Sequence, residues 1–285
     1  MNLILKSEHA EARFSNFGAS LTHLIFNSKV DVVMGLDDPD AYETNSPYFG
    51  VIGRTCNRTE NGRFELNGKT YQLAINNGPN NLHGGIKGID KYFWDSKFLD
   101  LNTLQFEHIS DDMNEGYPGK LLIRVSYKLV ESISKEGKVT VTLYQSFLAK
   151  LIDLEDPTLK TVVNLTNHTY WNLNGFVKEA LEHEFEIPNE NGRTETNKDQ
   201  CPNGNIIKDL PDSPFSFLKK KSLGKDYDKV QEYRGYDHYY LIKEDNSTNK
   251  DLVLGCKVYS PQSKIGMELW TDALVSFTTI NNFKI

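Results

Sequence analysis

The chain has 285 residues, 38% of them hydrophobic, which suits one large β domain or two ordinary ones. Its formal net charge of −7 lacks the basic footprint that nucleic-acid recognition leaves, and the densest basic run, Lys219 to Lys221, reads as a solvated turn. Three cysteines (Cys56, Cys201, Cys256) without metal-ligand spacing fit a reduced, cytoplasmic chain; no window reaches transmembrane length, and the apolar stretch Leu3 to Leu5 is too short for a signal peptide.

In chain order, Pro39 to Glu43 reads as one short helical turn. Asn67-Gly68 between Arg63–Leu66 and Lys69–Leu73 predicts a hairpin with a two-residue loop. Asp111 to Gly119 is acidic and turn-like, with the wrong spacing for an EF-hand. Leu121–Val130, Val139–Leu148, Thr161–Thr166 and Leu252–Tyr259 alternate with period two and predict strands with one buried face. Asn61-Gly62, Asn77-Gly78-Pro79, Glu136-Gly137 and Asn203-Gly204 are turn signals. The stretch Ile187 to Lys225 is polar and carries Pro188, Pro202, Pro211 and Pro214, which predicts a long excursion over the sheets, of the kind that often carries function. With no linker or composition shift, these elements predict one antiparallel β domain over residues 1–285.

Two histidines stand out. His83 lies in Asn81-Leu-His-Gly-Gly85, where the glycines permit close backbone approach, and a satisfied loop histidine is the plain alternative. His168 lies among Asn164, Thr166, Asn167, Thr169 and Asn172, groups able to orient an imidazole tautomer or to form Asx turns at a strand end. Imidazole is the side chain best suited to move a proton near neutral pH. Arg54 and Arg58 lie four residues apart and would share a face on a strand; either both fix loops or one donates to a substrate oxygen. In Arg234-Gly-Tyr-Asp237-His238, Asp237 reads either as a turn residue or as a carboxylate that accepts bonds from sugar hydroxyls.

Taken together, these segments resemble one family. Pro47-Tyr-Phe-Gly50, Ile52-Gly-Arg54, Asn57-Arg58, Leu82-His-Gly-Gly85, Glu115-Gly-Tyr-Pro-Gly119, Asn164-Leu-Thr-Asn-His168 and Gly235-Tyr-Asp237 follow the order found in aldose 1-epimerases (galactose mutarotases), from about Phe14 to about Leu254. The resemblance implies an all-β fold, a large antiparallel β-sandwich (the galactose mutarotase-like supersandwich), here C-terminally shortened. It implies interconversion of the α and β anomers of free aldohexoses such as glucose and galactose by acid–base ring opening and closure. Both proton-transfer groups must then lie within hydrogen-bond reach of the sugar. By the same resemblance, His168 is the general acid towards the ring oxygen and His83 binds near that oxygen. Arg58 and Asp237 bind hydroxyls, and Asn57 helps to orient the site. No metal or organic cofactor is implied, because a hemiacetal is already acidic. The expected partner is a small aldohexose, with neither nucleic acid nor membrane, for a monomer or weak homodimer.

The sequence departs from the family in two places. The family's base glutamate, in Leu-Glu-Thr-Gln followed by Pro-Asp, has no counterpart here, and Glu268 matches a strand residue before that turn. Phe215-Ser-Phe-Leu218 stands where the family prefers an acid and an arginine. Two functions therefore stay open: an aldose 1-epimerase, or a non-catalytic or weakly active carbohydrate-binding homologue. A phosphohexose mutarotase would need a phosphate clamp, for which Lys219 to Lys221 is the candidate.

Overall fold

The computed structural model describes residues 3–36, 38, 40–45, 49–152, 157–230, 235–242, 252–273 and 275–280, with 45 and 275–280 by backbone alone. Pro39, Pro47, Tyr48, Arg234 and residues 281–285 of the segments above lie outside the described residues. The chain divides into two compact units, Met1–Trp171 and Asn172–Ile285. Among the described residues every ladder is antiparallel, and an isolated bridge between Thr55 and Asn164 is parallel. Among the described residues no helix is long and apolar enough to cross a membrane.

The first unit opens with β1 (Leu3–Lys6), β2 (Ala10–Ser15), β3 (Ser20–Phe26) and β4 (Val30–Asp31), paired in that order, followed by the short helix α1 (Ala41–Asn45). Short ladders come next: β5 (Val51–Ile52), β6 (Arg58–Thr59), β7 (Arg63–Leu66), β8 (Lys69–Gln72) and β9 (Asn81–Leu82). A second four-stranded sheet follows, β10 (Asp95–Asp100), β11 (Thr103–Ser110), β12 (Leu121–Ile133) and β13 (Val139–Leu151), and then β14 (Thr166–Asn167), which pairs with β5.

Alternation explains the packing. On β12 the residues Leu121, Ile123, Val125, Tyr127 and Leu129 are all buried, and the intervening positions are not. Phe14 of β2 meets Tyr127 at 4.7 Å and Phe106 at 6.1 Å between ring centroids, so the two sheets share one core. The Tyr127 hydroxyl donates to the Ala19 carbonyl at 3.0 Å, which satisfies the polar tip of a buried ring. The β7–β8 hairpin turns at Asn67 (φ 53°) and Gly68 (φ 74°), the pair of positive φ angles that a two-residue turn of matching twist needs.

The second unit contains β15 (Glu184–Glu186), β16 (Glu190–Thr196), β17 (Pro202–Ile207), β18 (Lys221–Ser222), α2 (Tyr227–Val230), β19 (Tyr236–Ile242), β20 (Val253–Tyr259), β21 (Gly266–Thr271) and β22 (Val275–Ile280). They form two sheets, β18-β15-β20-β21 and β17-β16-β19-β22. Phe217 joins them: its ring lies 4.9 Å from Phe185 of one sheet and 4.9 Å from Tyr236 of the other. The departure at Phe215 to Leu218 is thus a core element of this unit.

Three expectations are refined or corrected. Residues 187–225 are mostly outside strands, as expected of an excursion, but the stretch is not unbroken, because β16, β17 and the two-residue β18 lie within it. β17 is an edge strand, exposed along almost its whole length, so it shows no apolar alternation, and Pro202 is tolerated as its first residue. Asn203-Gly204 lies inside β17 rather than between strands, with the Asn203 side chain held by Glu195 at 2.7 Å. Of Thr161–Thr166, only Thr166 enters a ladder, because the preceding segment is used one contact at a time. Arg54 donates to Thr161 Oγ1, and the backbone of Asn164 bonds to residues 54 and 56.

Candidate functional site

The β6–β9 ladder pairs Arg58 with Leu82 and so brings Asn57 across from His83. The Asn57 N–H donates to His83 Nδ1 at 3.1 Å, and the His83 N–H donates to the Asn57 carbonyl at 3.0 Å. Both residues are left-handed, at φ 57° and 53°. Gly84 follows at φ 86°, and a Cβ there would collide with the Gly53 carbonyl. A Cβ on Gly85 would strike Glu115, whose carboxylate accepts the N–H groups of Ile86 and Lys87 at 2.9 Å each. The loop behind His83 is therefore fixed at both ends.

This geometry sets the tautomer. An Nδ1 that accepts a hydrogen bond carries no proton, so neutral His83 holds its proton on Nε2 and is a donor there. Burial, with His168, Arg58 and Lys91 nearby, pushes His83 down to about 3, so the ring is neutral across the physiological range.

His168 follows β14 and is anchored by its N–H to the Gly50 carbonyl at 3.2 Å. Its ring lies edge-on to His83, 5.2 Å between centroids at 88°, and 5.0 Å from Tyr170, which in turn meets Phe49 at 5.6 Å. Asn167 forms an Asx turn with the Thr169 N–H at 2.7 Å and donates to the Tyr127 hydroxyl at 3.1 Å. Asn172 accepts from the Asn174 N–H in the second unit. The turn-forming role of these asparagines thus holds.

The two arginines part company. They do not share a face, because left-handed Asn57 breaks the strand between them. Arg54 is 2% exposed and donates to Ser110, Asp111, Pro118, Gly119 and Thr161, which makes it a loop anchor. Arg58 is half-buried, with Nε on Asn77 Oδ1 at 2.9 Å and Nη1 on Asn57 Oδ1 at 3.4 Å. Asn57, Arg58, His83 and His168 are thereby gathered in the first unit.

Asp237 belongs to the second unit. It is half-buried inside β19, opposite Thr279, and is not a turn residue. Glu268 lies on β21 and is held at the surface by Trp270 and Lys257.

Sequence reasoning missed Asp90 and Lys91. The Asp90 carboxylate is fully buried and takes Lys91 Nζ at 2.9 and 3.2 Å. Burial raises its pKa, with Lys91 and His168 acting in the opposite direction, while the Lys91 charge acts on His83. The pair therefore lies within electrostatic reach of both imidazoles. The signal in the sequence was an adjacent Asp–Lys just beyond the double glycine, in a segment without periodicity.

A family model described as aldose 1-epimerase matches residues 1–284. Galactose mutarotase of Bos taurus is 36% identical over 247 residues, 84% of this chain and 66% of that protein. That of Sus scrofa is 33% identical over 275 residues, 94% and 73%. The chain thus spans about two thirds of the bovine relative's length. The crystal structure of an aldose epimerase homologue from C. elegans superposes with a TM-score of 0.77 at 25% identity, covering 94% of this chain and 78% of that one. Galactose 1-epimerase from Lactobacillus acidophilus gives 0.71 at 22%, covering 90% and 72%. The fold is the all-β, galactose mutarotase-like one, and the chain belongs to the aldose 1-epimerase family.

Proposed function

We propose that the protein is an aldose 1-epimerase (mutarotase) that interconverts the α and β anomers of free aldohexoses. The observation that carries this is the edge-on His83–His168 pair, with His83 held by Asn57 as a neutral Nε2 donor. In this reading His168 protonates the ring oxygen as the C1–O5 bond breaks, solvent water takes the proton from the anomeric hydroxyl, and His83 donates a hydrogen bond towards the ring oxygen. The C1 carbon turns about the C1–C2 bond, and the ring closes on its other face. Arg58 and Asp237 hold hydroxyls, and Asn57 fixes His83 through its backbone. The same proposal takes in a cytoplasmic monomer or weak homodimer, in keeping with three free thiols.

One observation favours a second reading, sugar binding without turnover. Asp90, the carboxylate whose charge interacts with His168, is fully buried and already paired with Lys91, which does not favour a role as an open proton acceptor.

Polarimetry on freshly dissolved α-D-galactose or α-D-glucose tests the proposal. Wild type is expected to speed equilibration, and His168→Ala to lose roughly 10²- to 10⁴-fold of the rate, the usual worth of a positioned acid. No acceleration above buffer at micromolar protein overturns turnover. Retained galactose binding would then leave the second reading standing.

A further inference from the structure

Arg58 ends in a long, flexible side chain, and its guanidinium is useful to a ligand only if its plane is held. Asn77 Oδ1 accepts from Arg58 Nε at 2.9 Å. The turn that carries Asn77 is fastened by other groups. Backbone bonds link Asn77 and Asn80 in both directions, at 3.1 and 3.0 Å, and the Asn76 N–H reaches the Asn80 carbonyl at 3.2 Å. The Asn76 side chain donates to the carbonyls of Leu82 and Gly85 at 2.9 and 2.8 Å and accepts from the Leu82 N–H at 2.7 Å. Asn80 Oδ1 accepts from the Asn61 N–H at 3.0 Å. The turn thus stands without the Asn77 side chain, whose oxygen is turned instead to the arginine. Asn76 meanwhile ties the same turn to both ends of the His83 loop, so the arginine and the imidazole are referred to one rigid piece of backbone.

We propose that Asn77 is a positioning residue that sets the guanidinium of Arg58 for a sugar hydroxyl. It acts through Arg58 and contacts no substrate itself. A guanidinium pinned at Nε meets a ligand oxygen as a preformed donor edge, so the ordering cost on binding falls. The assignment deepens the proposed function and rests on it for the identity of the ligand.

The test compares Asn77→Ala, Asn77→Asp and Arg58→Ala with wild type in galactose affinity and in polarimetric KM and kcat. Asn77→Ala is expected to weaken binding and raise KM about tenfold, equivalent to about 1.4 kcal/mol, with kcat within about twofold. Asn77→Asp keeps an acceptor oxygen and should restore affinity, which a purely structural role would not predict. Asn77→Ala that binds as wild type, while Arg58→Ala loses binding, overturns the proposal. A second readout is independent of sugar: exchange of the Arg58 Nε–H proton by NMR. It should be slow in wild type and fast in Asn77→Ala, and equal exchange in the two overturns the clamp. A wild type that neither binds nor turns over sugar overturns the function instead, and leaves the exchange measurement to decide for Asn77.

Discussion

Replacing each arginine of the pair by lysine should separate their roles. Arg54 offers its fork to six acceptors: Ser110 Oγ at 3.1 Å, the carbonyls of Ser110, Asp111, Pro118 and Gly119 at 2.9, 2.8, 2.9 and 2.6 Å, and Thr161 Oγ1 at 3.3 Å. A lysine ammonium brings three donors to one point, so it reaches about half of these and leaves buried carbonyls unpaired. Hydrogen bonds to a charged group contribute about 1.5–3 kcal/mol each, and those crowded on Nη2 share their strength, so two effective losses amount to about 3–6 kcal/mol. At about 2 °C per kcal/mol for a chain of this size, Arg54→Lys should melt roughly 6–12 °C below wild type. Arg58→Lys disturbs the bonds to the half-buried side chains of Asn77 and Asn57, and at a half-buried position should cost less than Arg54→Lys, about 1–2 kcal/mol, yet lose sugar affinity. Circular dichroism melts and urea titrations of the two variants measure the contrast. An Arg54→Lys protein that melts within about 2 °C of wild type, or an Arg58→Lys protein that falls as far, would refute the division into anchor and ligand-facing arginine.

Three other outcomes follow from the site. His83 is pushed down to about 3 and His108, buried against Tyr92 and Trp94, to about 4, against 6.5 in the unfolded chain. Their contribution to stability is therefore present above pH 6.5 and is lost as pH falls towards 4 and 3. The slope is about 1.4 kcal/mol per pH unit for each group, so His83→Asn, which keeps an acceptor for the Asn57 N–H, should flatten the loss in urea-derived stability between pH 6.5 and 4.5 by about 2 kcal/mol; parallel curves would show that His83 is not neutral by burial. Lys91→Met strands the buried Asp90 carboxylate and should destabilise by about 3–5 kcal/mol, whereas adding Asp90→Asn should recover most of it; a double variant no more stable than the single one contradicts the pairing. Gly84→Ala puts a Cβ into the Gly53 carbonyl at φ 86° and should shift His83 off the Asn57 N–H, seen as a changed ¹⁵N shift of His83 Nδ1; an unchanged shift would mean the loop accommodates the methyl group.

Long period-two runs were legible as strands, whereas β19, whose burial alternates just as regularly, was hidden by the turn-like Gly235-Tyr-Asp237 at its start. β12 and β13 were expected as Leu121–Val130 and Val139–Leu148, and they run three residues further, to Ile133 and Leu151; β12 has the expected buried face, but β13, at the end of its sheet, has no buried residue. The hairpin at Asn67-Gly68 was legible because its backbone demands those residues. β16 and β17 were not: β17 is a polar edge strand, and β16 (Glu190–Thr196), though paired on both sides, carries no apolar side chain, so neither gives a period to read. Of the residues gathered in the first unit, Asn57, Arg58, His83 and His168 were singled out through the family's motif order and not through spacing. Spacing alone put Arg54 and Arg58 on one face, because period two presumes extended backbone, and Asn57 at φ 57° ends that run. Asp90 and Lys91 were invisible because an Asp–Lys pair is ordinary surface composition until its burial is known.

The positions that spoil periodicity are the ones that build the site. Left-handed backbone in a residue other than glycine costs of order 1–3 kcal/mol and persists only where the surroundings over-determine it. Asn57 and His83 both adopt it, facing each other across the β6–β9 ladder, and each donates an N–H to the other. An extended residue 57 would aim its N–H along the ladder, and His83 Nδ1 would lose the donor that fixes the tautomer. Two strained residues that satisfy each other thus convert a loop histidine into a neutral donor of known orientation. The glycines at 84 and 85 let the loop close behind it at positive φ, and Glu115 holds that closure through two backbone N–H groups. The orientation of His83 is therefore a property of backbone geometry at 57 and 83, and a side-chain change elsewhere alters it only by moving one of those two peptides.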